Sequence, residues 1–265
     1  MTLMQNLKFI GLLVKMKLAR IMAFRFSFFG AFFADGVLFI VHLLTFSIIY
    51  SQVDMIGDWS RGQMLIFIGT FSMINGLNMV IYFFGVVGIP QKIRDGGLDL
   101  YLTKPGNTLL RLTFEEVNPG SFPLILLSAG IISWGVTVAG IHATPLLVLG
   151  YSCMVLLMTL LWYDMEIILR TIPFMVISAT SIERVEGDML TLNFKVPGVI
   201  YKGVFRLLFY FILPYGVMAT VPTQLITSTL TLPGLLHALC IVVAFTMFAL
   251  WFWRFGLRHY KSASS

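Results

Sequence analysis

Charge is the scarcest commodity in this sequence. Asp, Glu, Lys and Arg make up 11% of its 265 residues. An ordinary soluble domain carries about 25%. So little charge cannot cover a water-facing globule, which excludes a soluble enzyme with one packed core. The 58% hydrophobic content excludes a disordered chain as well. Cysteine is nearly missing: Cys153 and Cys240 lie in apolar runs without a CxxC or Cys/His neighbourhood. A disulfide framework and a zinc site are therefore not supported, and both residues are expected to be small buried hydrophobes. The histidines (His42, His142, His237 and His259) are scattered, so no metal is expected. No Gly-x-x-x-x-Gly-Lys-Ser/Thr occurs, so no phosphate loop for ATP is present and no cofactor is expected on this chain.

What the sequence has instead is long apolar runs, with a mean hydropathy of +0.91. A helix needs about 20 apolar residues to cross a ~30 Å hydrocarbon core. Six stretches qualify: Phe26 to Tyr50, Met64 to Ile89, Phe122 to Ile141, a long one from Leu146 past Trp162, Leu207 to Ile226, and Leu235 to Trp253. The basic residues orient them. Lys8, Lys15, Lys17, Arg20 and Arg25 precede the first span. Lys92, Arg94, Lys104 and Arg111 follow the second, Arg170, Arg184, Lys195, Lys202 and Arg206 follow or end the fourth, and Arg254, Arg258 and Lys261 form the tail. With both termini in the cytoplasm, every basic residue except Arg61 faces inward, as the positive-inside rule expects. The net charge of +6 then belongs beside anionic lipid headgroups, and nucleic acid is not needed as a partner. The expected architecture is an all-α integral membrane protein, one domain over residues 1–265, with six transmembrane helices and cytoplasmic termini.

The fourth apolar region is too long for one upright span. The charge distribution favours one long helix, tilted or kinked near Pro173, with Glu166 and Arg170 pairing four apart at the inner interface. Residues 1–24 carry a helical stripe of Leu3, Leu7, Ile10, Val14, Leu18 and Ile21, with Lys8 and Lys15 on another face. That pattern predicts an amphipathic helix lying on the membrane surface, and no cleavable signal is expected. Trp59, Trp251, Trp253 and Tyr260 sit near span ends and are expected to be belt aromatics. The water-facing parts are small, chiefly 90–119 and 182–205, both placed in the cytoplasm.

Intramembrane enzymes leave marks that are missing. Gly150-Tyr151-Ser152-Cys153 does not fit a serine protease motif. Glu115-Glu116 lacks the following arginine of a prenyl-protein protease, and Arg94-Asp95-Gly96-Gly97 lacks the further aspartates of a headgroup transferase.

The most informative segment is KIRDGGLDLYLTKPGN, Lys92 to Asn107. Charges alternate there with Ile93, Leu98, Leu100 and Leu102. Gly96-Gly97 allows a sharp reversal and Pro105-Gly106 a turn. This reads as a short amphipathic element displayed at the membrane surface, or more plainly as a connecting loop. The segment resembles the cytoplasmic signature of ABC-2-type exporter permeases through Ile93, Arg94, Gly97, Leu98, Asp99, Leu102, Lys104, Pro105 and Asn107. The later Pro197, Tyr201, Arg206, Pro214 and Pro222 resemble the same subfamily, although Val196 replaces its usual aromatic. The resemblance implies a transport subunit with no catalytic residues, paired with a second permease chain, identical or homologous. A separate soluble ABC ATPase carrying ATP and Mg would drive it. The ATPase-coupling residues would be Lys92, Arg94, Gly97, Leu98, Asp99, Leu102, Lys104 and Pro105, with 1–24 as a connecting helix beside them. It also implies a bacterial inner membrane.

Candidate polar residues along a pathway are few. Asp35 and His42 share a face of the first span, and Asn75 and Asn78 share a face of the second. Each pair is read either as glue between helices or as lining of an export path. Two rivals stay open: a channel or secondary transporter working without ATP, and an intramembrane enzyme.

Overall fold

A computed structural model describes residues 58–104, 106–176 and 180–260, together with scattered residues between 10 and 56. The amphipathic N-terminal stretch, the first span with Asp35 and His42, and Pro105 lie outside the described residues, apart from isolated helical positions. Helices dominate. A two-residue antiparallel pair, Met55–Ile56 with Trp59–Ser60, leads into α1 (Arg61–Ile81). Ser60 and Gln63 form a capping box at its start, Gln63 accepting from the Ser60 N–H at 2.8 Å. Then come α2 (Phe83–Val87), α3 (Ile89–Arg94), α4 (Asp99–Leu102), α5 (Thr108–Phe114), α6 (Phe122–Val138) and α7 (Pro145–Thr171). The chain ends with α8 (Thr180–Lys195), α9 (Gly203–Leu207), α10 (Tyr215–Met218), α11 (Thr220–Ile226) and α12 (Leu232–His259).

Among the described residues four helices are long and apolar enough to cross a membrane, or five if one bent pair is a single span. The helix expected over Met64 to Ile89 stops at Ile81, and Tyr82 breaks it. The fourth region is one long helix, closed by a 3-10 turn over Ile172–Phe174 that contains Pro173. Leu207 to Ile226 is not the straight span the composition predicts. It bends by 80° between Gly203–Ile212 and Tyr215–Ile226. The break falls at Pro214, which has no N–H to continue a ladder, directly after a π-helical turn over Leu208–Ile212. Hydropathy sums cannot register a bend that leaves composition unchanged.

The helices α1 and α6 are antiparallel and very close. A Cβ on Gly62 would come within 2.6 Å of the Ala139 backbone nitrogen, one on Gly69 within 2.7 Å of Ile132 Cγ1, and one on Gly76 within 2.9 Å of Ile125 Cγ1. Three glycines at heptad spacing thus let two backbones approach, and dispersion between them holds the pair where lipid offers no hydrophobic drive. The opposite side of α1 packs on α7, which also holds α12. Phe71 of α1 meets Trp162 of α7 at 5.7 Å between ring centroids. A second cluster, with Tyr82, Ile89, Ile93, Leu98, Ile167, Phe174 and Trp253, closes the end of the bundle where α3, α7 and α12 meet.

Several side chains depart from expectation. Cys153 and Cys240 are exposed rather than buried, because their helices turn those faces out of the bundle. Trp59 and Trp253 are buried against Phe67 and Phe174, so of the three expected belt tryptophans only Trp251 is open to its surroundings. Part of the 182–205 region joins the bundle as well: Phe194 of α8 packs edge-on against Phe71 at 4.9 Å.

Candidate functional site

The segment that carries the signature folds as two short helices around a tight reversal. Pro90 lies in the first turn of α3, where a missing N–H costs nothing. Gly96 takes φ +68, and the chain turns back so that the Leu98 N–H donates to the Lys92 carbonyl at 3.0 Å. Gly97 does not have a positive φ, and a Cβ there would meet Lys92 only at 3.8 Å, so the reversal rests on Gly96. Ile93 and Leu98 point into the bundle and anchor the loop, whereas Leu100 and Leu102 are 65% and 41% exposed. The expected alternation is therefore split, one apolar pair turned inward and one outward. Arg94 and Lys104, on either side of the outer pair in sequence, are exposed, and Arg94 donates to Gln91 Oε1 at 2.8 Å. Asn107 caps α5, its Oδ1 accepting from the Leu110 N–H at 3.1 Å.

Tyr101 fastens the second turn. Its ring lies 5.6 Å from Lys92 Nζ and 5.3 Å from the Arg111 guanidinium. Burial, followed by a hydrogen bond and charge from Glu115, pushes its hydroxyl up to about 12, against the pull of Arg111. Asp99 adjoins the Tyr260 hydroxyl just past α12, and burial together with that carboxylate raises the Tyr260 pKa. Tyr260 also packs on Phe174 at 5.8 Å. The signature segment, the end of α7 and the end of α12 are thus one contiguous surface at one end of the bundle.

Behind this surface the bundle holds a buried charge cluster. Arg170 on α7 lies 3.1 Å from Glu166 and 2.9 Å from Glu186 of α8. Trp162 Nε1 donates to Glu166 at 3.3 Å. All three charged side chains are buried, and the expected Glu166–Arg170 pair is present as part of a triad with Glu186. Glu186 escaped sequence reasoning because it lies on another helix, at no recognisable spacing from Arg170. Two residues before Glu166, Asp164 accepts from Thr246 of α12 at 2.5 Å. Asn78 is buried and its Oδ1 has no hydrogen-bond partner among the described residues, while Asn75 is half-buried. Neither asparagine shows the cross-helix hydrogen bond considered for the pair.

A family model described as "ABC-2 family transporter protein" matches residues 37–264. The chain belongs to the ABC-2 transporter family. No curated protein and no solved structure gives a significant match. As an ABC-2 protein it is a multi-pass membrane permease of an ABC transporter. Family membership implies association with an ABC ATPase, since such transport subunits normally have no nucleotide site of their own.

The later residues of this ABC-2 chain build the bent segment. The Tyr201 hydroxyl donates to Asn193 Oδ1 at 3.1 Å, and its ring stacks on Phe209 at 4.7 Å. Arg206 lies 5.7 Å from the centre of the Tyr210 ring. Pro197 precedes the turn Gly198–Ile200, whose Gly198 N–H donates to Thr220 at 2.9 Å. Pro214 marks the bend, and Pro222 is buried in α11. These positions act as a joint between α8 and α11.

Proposed function

We propose that this permease is the six-span transmembrane subunit of an exporter in a bacterial cytoplasmic membrane, both termini inside, working with a second permease chain. A separate ATPase, holding ATP and Mg, docks on the face formed by residues 91–107. The supporting observation is the outward pair Leu100 and Leu102, flanked by Arg94 and Lys104, on a loop whose inner side is anchored by Ile93 and Leu98. Apolar residues exposed at the end of a membrane bundle, ringed by charge, have the make-up of a protein contact. Lys92 and Asp99 act one layer behind, Lys92 over Tyr101 and Asp99 beside Tyr260. A push on this loop reaches the ends of α7 and α12 through Tyr260 and Phe174. Closure of the ATPase would then rock the two permeases between access states. Asn75, Asn78, Asp35 and His42 remain the polar residues offered for the path or the seam between helices.

Leu100→Asp with Leu102→Asp is the direct test, because both side chains are already exposed and the fold does not depend on them. The expected result is loss of the ATPase from affinity-purified permease, with membrane insertion unchanged. Full retention of the ATPase and of ATP-driven transport would remove this face from the interface. Transport by the purified chain without any ATPase would instead favour a channel or secondary transporter.

A further inference from the structure

The final helix has two unlike faces. Ala249, Trp253 and Gly256 are buried, and a Cβ on Gly256 would meet Thr171 and Phe174. The opposite face bears a groove of about 420 Å³ lined by Met247, Leu250, Trp251, Arg254, Phe255 and Arg258. Its apolar floor is open: Met247 is 67% and Trp251 57% exposed. Trp251 and Phe255 stack at 5.7 Å with 19° between their planes, making a flat wall. At the rim, Arg254 and Arg258 are exposed one turn apart, and α12 contains no acidic residue. Neither arginine has an ion pair among the described residues.

Depth fits an amphiphile. The 28 residues of α12 span about 42 Å at 1.5 Å per residue, more than a ~30 Å hydrocarbon core, so its last turns emerge at the interface. Arg254 and Arg258 lie within about 8 Å of the helix end, and Met247 lies about 10 Å deeper than Arg254. Guanidinium groups bind phosphate oxygens bidentately, and a tryptophan and aliphatic floor suits an acyl chain. A second copy meeting this face by two-fold symmetry would set arginine against arginine with no acid to relieve it.

The geometry points to a dedicated anionic-phospholipid site on the outer face of α12. The headgroup phosphate is held by Arg254 and Arg258, and one acyl chain lies along Trp251, Leu250 and Met247. The test is native mass spectrometry of the full chain in detergent, titrated with phosphatidylglycerol, phosphatidylcholine or inorganic phosphate. Phosphatidylglycerol is expected to stay bound to the wild type, and Arg254→Gln with Arg258→Gln to weaken it by about tenfold or more. Arg61→Gln, at the far end of the bundle, is expected to leave it unchanged. In nanodiscs, brominated phosphatidylglycerol should quench fluorescence that Trp251→Phe removes. Equal retention by the double glutamine variant, equal binding of phosphatidylcholine, or displacement of the lipid by inorganic phosphate would each overturn the site.

Discussion

Arg170 holds two carboxylates at once, and its neighbours depend on it more than it depends on either. Removing the guanidinium leaves Glu166 and Glu186 buried against each other. Breaking a buried pair from one side costs about 3–5 kcal/mol, whereas replacing all its members together can be close to neutral. Arg170→Met is therefore expected to lower the melting temperature of the detergent-purified chain sharply. Adding Glu166→Gln and Glu186→Gln to it should recover much of the loss. Tyr101 gives a second residue-scale prediction, with a pH sign. An ordinary tyrosine ionises at about 10, and here the hydroxyl is pushed up to about 12. The folded loop resists the phenolate, so its contribution is complete below about pH 10 and fades as the pH rises towards about 12. Limited proteolysis of the 95–107 loop should accelerate over that window in the wild type and lose this dependence in Tyr101→Phe. Sequence spacing foretold the Glu166–Arg170 pair, since positions four apart share a helix face. It gave no hold on Glu186, whose proximity is a matter of tertiary packing.

At the scale of elements, the seam between α1 and α6 sets the clearest contrast. Gly62→Ala would place a methyl within 2.6 Å of the Ala139 backbone nitrogen, and a backbone cannot step aside as a side chain can. Overpacking of this kind costs about 1–3 kcal/mol. Gly130→Ala on α6 meets nothing within 4 Å, and helix propensity alone favours it by up to about 1 kcal/mol. Melting curves are expected to show the first variant destabilised and the second unchanged or improved. Apolar length located α1, α6, α7 and α12 well, because hydrocarbon thickness imposes a simple demand on composition. The bend at Pro214 was out of reach because it leaves the hydropathy of the stretch unchanged, and the docking of Phe194 on Phe71 because it depends on a partner distant in sequence. The signature loop was half legible: its amphipathic content was plain, but alternation did not reveal that Leu98 is an anchor and Leu100 an outward contact.

For the whole molecule, the side of the membrane on which the signature loop lies governs everything proposed about its motor. In a cysteine-free background, Lys104→Cys should resist a membrane-impermeant thiol reagent in intact cells, and His142→Cys should react with it. Both positions are exposed; Lys104 lies before α5, ahead of the start of α6, and His142 lies just past the end of α6, so one α6 crossing separates them. The reverse labelling would put the loop beyond the reach of any cytoplasmic ATPase. The buried cluster also bears on how the chain is made. Asp164 and Arg170 emerge from the ribosome together in α7, but Glu186 comes later in α8 and Thr246 later still in α12. Arg170 has Glu166 beside it on α7 from the start, whereas Asp164, six residues further into the span, has no hydrogen-bond partner among the described residues before Thr246. An unpartnered Asp inside a span costs up to about 2.5–3.5 kcal/mol on insertion scales. Helix α7 therefore has reason to linger beside the translocon, unreleased, until the final helix arrives to complete its company.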